Sequence, residues 1–349
     1  MASFDITALE ETCITTSLLG KIILIYGLNN TGKTKVASQL FPGRTLLVAT
    51  EKGYNAIGGI RKVDVDTWSD FRTVVTQLTA KKKKEKARAM YDCVMVDVAD
   101  RLPNLCNSYT CQSFDPPVDN LADIPYGGGY SALNKEFDNQ LNKLALSGYC
   151  VVLICHDETK VKGKKPNEYD YIVPKNTFSK AGSVLKDLPD FTIYLESQGV
   201  DEEGRAMLSI GHCVQHTEFF ARSRFTECPE IISPFTAENL KETVKIACER
   251  EAKKLGVRCI DYYEEETKRE VEKESKKLTK DELTKMIEPV FRALIQEGYK
   301  EAVTGIVERY LGEGGKVSQA EENQADKLQF IFDKLVDFAE EKDVDWEND

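Results

Sequence analysis

The 349-residue chain contains nothing close to the ~18 consecutive apolar residues of a membrane span, and no membrane partner is expected. Its first twenty residues carry Asp5, Glu10 and Glu11 but no basic segment, so no secretory signal is expected either. The ten cysteines (13, 93, 106, 111, 150, 155, 213, 228, 248 and 259) include no C-x-x-C pair. Cys93, Cys150 and Cys155 lie inside apolar runs, where a thiol acts as a small hydrophobe. A disulfide scaffold is thereby excluded, and a reduced, cytoplasmic compartment is expected. No internal repeat is present. Basic excess is missing too: 47 Lys and Arg face 58 Asp and Glu, a net charge of −11. The deficit is uneven, with 27 basic and 29 acidic groups in residues 1–235 but 20 and 29 in 236–349. The stretch 321–349 alone has 3 against 11. Nonspecific coating of nucleic acid by the whole surface is therefore not expected, while a local basic site on the first two-thirds remains open.

The chain does contain an alternating pattern. Residues 22–26 (IILIY), 45–50 (TLLVAT), 93–98 (CVMVDV) and 150–155 (CVVLIC) are continuous apolar runs of the kind buried on both faces of a sheet. A short strand is expected over 61–65. Helical spacing falls between these runs, over 33–40, over 69–80 (Phe71, Val74, Val75, Leu78) and over 131–147 (Leu133, Phe137, Leu141, Leu144). Strands alternating with helices predict an α/β fold with a mostly parallel central sheet. Residues 190–196 and 206–214 read as an antiparallel hairpin at one sheet edge. Beyond Pro234 the chain becomes charged, with one or two helices over 236–277. Thr279-x-x-Glu282 reads as a capping box for a helix ending at Gly298, another helix carries Val303, Ile306 and Tyr310, and Ser318-x-x-Glu321 reads as the cap of a last one. These readings divide the chain into a core over 1–235, a charged helical linker over 236–278, and a small C-terminal helical domain with an acidic tail over 279–349.

The strongest motif is Gly27-Leu28-Asn29-Asn30-Thr31-Gly32-Lys33-Thr34, which fits G-x-x-x-x-G-K-[ST] between a buried strand and a helix. Its glycines let backbone amides wrap a polyphosphate at a helix start. Gly27, Asn29, Asn30, Thr31, Gly32, Lys33 and Thr34 are the expected nucleotide-binding residues, with Lys33 reaching the β- and γ-phosphates and Thr34 holding Mg²⁺. Asp97, closing the run VMVD, is placed to support the metal. The next residue is Val98, so the adjacent Asp-Glu pair of the AAA+ group is absent. Glu51 closes the strand TLLVAT, and two readings fit it, a carboxylate that deprotonates the attacking water or a solvated Glu opening a turn. His156 follows CVVLIC and reads either as a γ-phosphate sensor or as a rim histidine satisfied by a neighbour.

The order of these features resembles the RecA-like ATPase core: phosphate loop, strand ending in Glu, strand ending in Asp, strand ending in a polar sensor. More narrowly it resembles phage-encoded AAA-type nucleotide-binding proteins that include RecA-like single-strand annealing recombinases. The stretches carrying the likeness are YGLNNTGKT, LLVATEKG, YDCVMVDV, PYGGGYSALNKEF, VVLICHDE, KAG with LPDFTIYL, and ARSRF, across roughly residues 20–235. The resemblance implies ATP and Mg²⁺ as cofactors and host cytoplasm as location. It makes Lys33, Glu51 and His156 catalytic, and Thr34 and Asp97 the metal residues. It also implies a homo-oligomer, ring or filament, in which Arg222 and Arg224 reach a neighbour's phosphates; an ion-paired surface strand is the other reading of those two arginines.

RecA-like proteins hold single-stranded DNA with loops after the Asp strand and after the sensor strand. Here those would be 99–130, with Tyr109, Phe114 and Tyr126, and 157–178, with Lys160, Lys162, Lys164, Lys165 and Lys175 beside Tyr169 and Tyr171. Lysines for phosphates and aromatic faces for bases suit sequence-tolerant strand binding. Asp157, Glu158, Glu168 and Asp170 dilute the charge, and a solvated loop is the competing reading. The run KKKKEKAR over 81–88 reads as a solvated loop, with phosphate contact as the alternative. His212-Cys213-x-x-His216 is not expected to bind metal, because a strand points alternate residues apart. The leading expectation is thus a DNA-stimulated ATPase in phage recombination, annealing or replication, with a single-strand-binding protein as a further partner. A small-molecule P-loop kinase with 157–178 as lid and a nucleotide-dependent adaptor are the alternatives.

Overall fold

Side-chain alternation along the apolar runs builds the sheet and both layers that cover it. A computed structural model describes residues 11–53, 57–260, 278–342, 344 and 346. Among these, the strands are β1 (Ile14–Thr15), β2 (Ile22–Gly27), β3 (Thr45–Ala49), β4 (Arg61–Asp64), β5 (Cys93–Asp97), β6 (Cys150–Cys155), β7 (Asp157–Lys162), β8 (Tyr169–Pro174), β9 (Phe191–Glu196), β10 (Ile210–His212), β11 (Arg222–Ser223), β12 (Ile231–Ile232) and β13 (Cys259–Ile260). The helices are α1 (Lys33–Gln39), α2 (Trp68–Thr79), α3 (Lys81–Met90), α4 (Leu102–Gln112), α5 (Gly128–Leu146), α6 (Ser183–Asp187), α7 (Ala237–Leu255), α8 (Lys280–Gln296), α9 (Lys300–Leu311) and α10 (Ala325–Glu341).

The central sheet runs β12-β10-β9-β2-β6-β5-β3-β4, with β11 also pairing β9. The six strands from β9 to β4 are parallel. The strands β10 and β11 run antiparallel to β9, and β12 antiparallel to β10, so the expected edge hairpin forms. Ile22, Leu24 and Tyr26 of β2, with Val94 and Val96 of β5, face a layer containing α2, α4 and α5. Ile23, Ile25, Met95, Val152 and Ile154 face the other way, onto Val36, Ala37 and Leu40 near α1 and Leu240, Val244 and Ala247 of α7. Each such buried aliphatic contributes roughly 1.5–3 kcal/mol, which makes the middle strands the rigid part of the molecule.

Several expectations are corrected. The segment expected as a linker begins with α7, whose apolar stripe covers the sheet and makes it part of the core; 261–277 lie outside the described residues. KKKKEKAR is helical in α3, since Lys, Glu, Ala and Arg are strong helix formers even without an apolar face. The loop expected over 99–130 holds α4, whose Cys106 and Cys111 are buried, so only 99–101 and 113–127 are irregular or in short turns. The loop expected over 157–178 is mostly the antiparallel pair β7–β8. Thr279 and Glu282 form a full capping box on α8, but Ser318 and Glu321 cap nothing of the kind: 317–319 and 322–324 are single 3₁₀ turns, and α10 starts at Ala325 without a side-chain cap.

Residues 11–265 form one compact unit, and the chain from 266 contributes to a second. In the second, Leu283, Ile287 and Leu294 of α8, Val303 and Val307 of α9, and Leu328, Ile331 and Leu335 of α10 share a separate core. Within the first, β1 pairs in parallel with β13, Ile14 opposite Cys259. Buried Lys21 closes that seam, its Nζ donating to the carbonyls of Thr15 (2.7 Å) and Ser17 (2.6 Å). Among the described residues no helix is long and apolar enough to cross a membrane.

Candidate functional site

All the parallel strands end on one rim, and the motif residues meet there. The phosphate loop leaves β2 at Gly27, whose φ is 149° and whose missing Cβ would stand 2.6 Å from the Leu195 carbonyl oxygen. Asn30 (φ 63°) and Gly32 (φ 85°) turn the backbone into α1. Thr31 Oγ1 donates to the Leu28 carbonyl at 2.8 Å, and Ser209 Oγ donates to the Thr31 carbonyl at 3.0 Å, tying the loop to the segment before β10. Lys33 is buried and its Nζ donates to the carbonyls of Gly27 (2.7 Å) and Leu28 (2.6 Å). Burial pushes this ammonium down from its ordinary value; Asp157, then Asp97, Cys155 and Asp100, oppose the shift.

The acid stands opposite. Asp97, at the end of β5, is buried and hydrogen-bonded to the Thr34 side chain. Burial raises its carboxyl above the usual range and Glu51 adds to this, while Thr34, Lys33 and His156 pull it down. Glu51 is held near by a stitch between strand ends. Thr50 N donates to the Asp97 carbonyl (3.0 Å), Thr50 Oγ1 donates to the Val98 carbonyl (2.7 Å) and Val98 N donates back to Thr50 Oγ1 (2.9 Å). Arg101 donates to the Thr50 carbonyl as well. Although β3 follows the loop strand in chain order, β6 and β5 stand between them in the sheet. The rim, not sheet adjacency, brings Glu51 to the cleft.

His156 begins where β6 ends. Its backbone N–H and its Nδ1 both meet one oxygen of buried Asp100, Oδ2, at 2.9 and 2.8 Å. Its Nε2 is free of a hydrogen bond among the described residues. Asn29 through Lys35, Glu51, Asp97 and His156 line one open cleft of about 860 Å³, within the range that takes a drug-sized or cofactor-sized ligand. Among the described residues no three His, Cys, Asp or Glu side chains converge to hold a metal ion by themselves. Thr34 and Asp97, already in contact, are the pair suited to a hard cation that shares its shell with phosphate oxygens. Asp100, Asp157 and Ser209 are the residues that sequence reasoning missed. Each acts on a partner far along the chain, and the only sequence signal was the position of Asp100 and Asp157 beside strand ends.

The other predicted residues lie outside the cleft. In the hairpin, Lys160 faces Tyr171 and Lys162 faces Tyr169 across β7–β8, so all four share one face. Lys162 Nζ sits 3.2 Å from the Tyr171 ring centre, and Lys160 lies 3.1 Å from Glu158. Lys164, Lys165 and Lys175 are exposed at the turn and the exit of the same hairpin. Arg222 donates to the Asp187 carbonyl (3.0 Å), and Arg224 donates to that of Leu188 (2.8 Å) and lies 3.6 Å from Asp190. Neither arginine lines the cleft of its own chain. His212 pairs with Glu196 at 2.8 Å, while Cys213 is buried.

The comparisons with known proteins agree with this geometry. An uncharacterized protein derived from the SPbeta prophage, YorG of Bacillus subtilis (strain 168), is 33% identical over 340 residues, which cover 97% of this chain and 100% of the relative. Residues 19–225 match the AAA domain family, a stretch that starts just before β2 and ends just after β11. With the loop at its rim and the matched region spanning more than half its length, the chain belongs to the AAA domain family, with the P-loop nucleotide-binding fold this implies.

Proposed function

We propose that the protein is a RecA-like ATPase that acts on single-stranded DNA as a homo-oligomer, in phage recombination, annealing or replication in the host cytoplasm. The observation that carries this reading is a pair of surfaces meeting at His156: the cleft holding Lys33, Thr34, Glu51 and Asp97, and the hairpin whose one face presents Lys160, Lys162 and Tyr169, with Tyr171 of that face buried beneath Lys162. The strand order supports it. With β6 between β2 and β5, the sensor-strand residue stands between the loop and the acid.

In this mechanism Gly27, Asn29, Asn30, Thr31 and Gly32 wrap the phosphates with backbone amides. Lys33 exchanges the Gly27 and Leu28 carbonyls for β- and γ-phosphate oxygens, which also relieves the cost of burying an ammonium on neutral partners. Thr34 and Asp97 would hold Mg²⁺, which when bound neutralises charge on the phosphates. Glu51 accepts the proton of the attacking water, and His156 Nε2 meets the γ-phosphate. The lysines of the hairpin neutralise DNA phosphates while exposed Tyr169 offers a stacking face. A trans role for Arg222 and Arg224 requires their release from the 187–190 segment, which a neighbouring protomer's phosphates would drive.

The test is steady-state ATP hydrolysis with and without single-stranded DNA at low and moderate salt, with Lys33→Ala as blank. Stimulation that fades with salt supports the proposal. Hydrolysis indifferent to DNA removes the DNA role, and nucleotide binding that survives Lys33→Ala unchanged removes the phosphate loop. One observation favours a second reading, phosphoryl transfer to a small molecule: the cleft continues along α1 to Pro42, Gly43 and Arg61, room for another ligand. A phosphotransfer screen with nucleosides and nucleotides separates the two. Tight ATP binding with slow, DNA-independent turnover would instead mark an adaptor.

A further inference from the structure

Asp100 is almost wholly buried, sits three residues beyond Asp97, and touches both legs of the hairpin. On the incoming leg, its Oδ2 accepts from the His156 backbone N–H (2.9 Å) and meets His156 Nδ1 (2.8 Å). On the outgoing leg, its carbonyl oxygen accepts from Asn176 Nδ2 at 2.9 Å. Lys175 N donates to the His156 carbonyl at 2.9 Å and closes the base between them. A carboxylate can only accept, so the nitrogen it meets must be the protonated one. Nδ1 therefore carries the hydrogen and Nε2 is left for the cleft. Asn176 has φ 64°, a conformation Asn and Asp tolerate better than other side-chain-bearing residues, which sets the amide against the turn that holds Asp100.

We propose that Asp100 is a positioning residue: it fixes the tautomer and direction of the His156 ring, and it clamps both legs of the 157–174 hairpin to the strand end that carries Asp97. Occupation of the cleft then reaches the Lys160, Lys162 and Tyr169 face through one residue, by its carboxylate on the incoming side and its backbone carbonyl on the outgoing side. The coupling part of this inference rests on the ATPase reading above; the positioning part does not.

The experiment uses the full chain with labelled histidine, whose three imidazoles (156, 212 and 216) are few enough to assign by substitution. In nucleotide-free protein the His156 nitrogen spectrum shows the Nδ1–H tautomer. Asp100→Ala releases the ring to the Nε2–H form common in water. It also speeds amide exchange at 156 and along the incoming leg, 157–162, by about ten- to a hundredfold, while the outgoing contact to the main-chain carbonyl persists and the β2, β5 and β6 amides stay protected. Asp100→Asn restores both readouts, because one amide oxygen can accept both His156 bonds, which places the role in an accepting oxygen and not in the charge. An Nε2–H ring in the wild type overturns the inference, as does an Asp100→Ala protein whose ring and hairpin exchange are both unchanged. Should Asp100→Ala fail to fold, Asn176→Asp removes the donor of the outgoing leg and keeps the backbone conformation. Exchange over 169–176 then rises while the ring tautomer stays, and unchanged exchange overturns the clamp. Finally, a non-hydrolysable ATP analogue with Mg²⁺ slows hairpin exchange in the wild type but not in an Asp100→Ala protein that still binds it. An equal response in both overturns the coupling, whereas no analogue binding to wild type overturns the ATPase reading and leaves the ring and hairpin results standing.

Discussion

Gly27→Ala is the substitution whose cost is most directly set by geometry. A methyl group there would stand 2.6 Å from the Leu195 oxygen and 3.3 Å from the Leu195 Cβ. The nearest atom is backbone in β9, registered directly opposite Gly27, so it cannot swing aside as a side-chain tip would. Relief requires β2 and β9 to part in the middle of the sheet. Overpacking of this sort costs about 1–3 kcal/mol. The φ of 149° lies where a Cβ is unwelcome and adds about 1–3 kcal/mol. Against this, alanine restricts the unfolded chain and returns about 0.4–1 kcal/mol. The net is a loss of about 3 kcal/mol, which for a unit of this size lowers Tm by about 6–12 °C. Because the parting occurs where the phosphate loop begins, binding of a fluorescent ATP analogue weakens as well. Gly53→Ala is the internal control: it lines the same cleft, has no positive φ, and its Cβ would meet Glu51 Oε1 at an ordinary 3.7 Å. Thermal unfolding and analogue titration of both variants decide the matter. A Gly27→Ala protein with wild-type Tm and affinity would refute the reasoning, since no flexible neighbour is available to absorb the methyl.

Three further outcomes are expected. The Asp97 carboxyl is raised chiefly by burial, so ionising it costs folding stability; that cost is absent below the ordinary carboxylate pKa and complete once pH exceeds the raised folded value. Asp97→Asn therefore unfolds at higher temperature than wild type at pH 7 without nucleotide, the difference fades in acid, and the added stability from Mg²⁺–ATP (about 2.7 kcal/mol at a hundredfold excess over Kd) disappears, all read by thermal scans. Replacing Lys160 and Lys162 by alanine lowers the salt-dependence slope of single-stranded DNA binding by about 1.4, and Tyr169→Ala weakens binding by about 1–3 kcal/mol, as filter binding across a salt series would register. Leu335→Ala, at a fully buried position among α8, α9 and α10, destabilises the helical unit by about 2–5 kcal/mol, a loss visible by calorimetry as an earlier transition.

The strands and the phosphate loop were legible because they depend on local pattern. A run such as CVVLIC has few alternatives to a doubly buried strand, and the loop motif needs only its neighbours to be strand and helix. What was not legible depends on partners distant in the chain or on propensity without an apolar face. Apolar periodicity is silent over KKKKEKAR, although its residue types favour a helix. DETKVK and YDYIVP are polar enough to pass for loop, and only their mutual register reveals a ladder. Asp100 has no local sign of its role, which is defined by His156, 56 residues later, and Asn176, 76 later. Ser209 holds the loop across 178 residues and had no local signature. Glu51 reaches the cleft across two strands that stand between β2 and β3, through the tie of Thr50 to the end of β5, an arrangement that chain succession does not reveal.

The seam between β1 and β13 has a mechanical consequence. Ile14 and Cys259 lie side by side, so the two described ends of the 11–265 unit meet at one pole. The pairing is parallel, which means that force pulling the two ends apart loads its hydrogen bonds together in shear instead of opening them one at a time. Lys21 acts as a rivet on that joint, its ammonium gripping the turn behind β1. Joining 260 back to 14 and reopening the chain at an exposed turn such as 199–204 would give a permuted protein with the same sheet order, a rearrangement that adjacent termini favour.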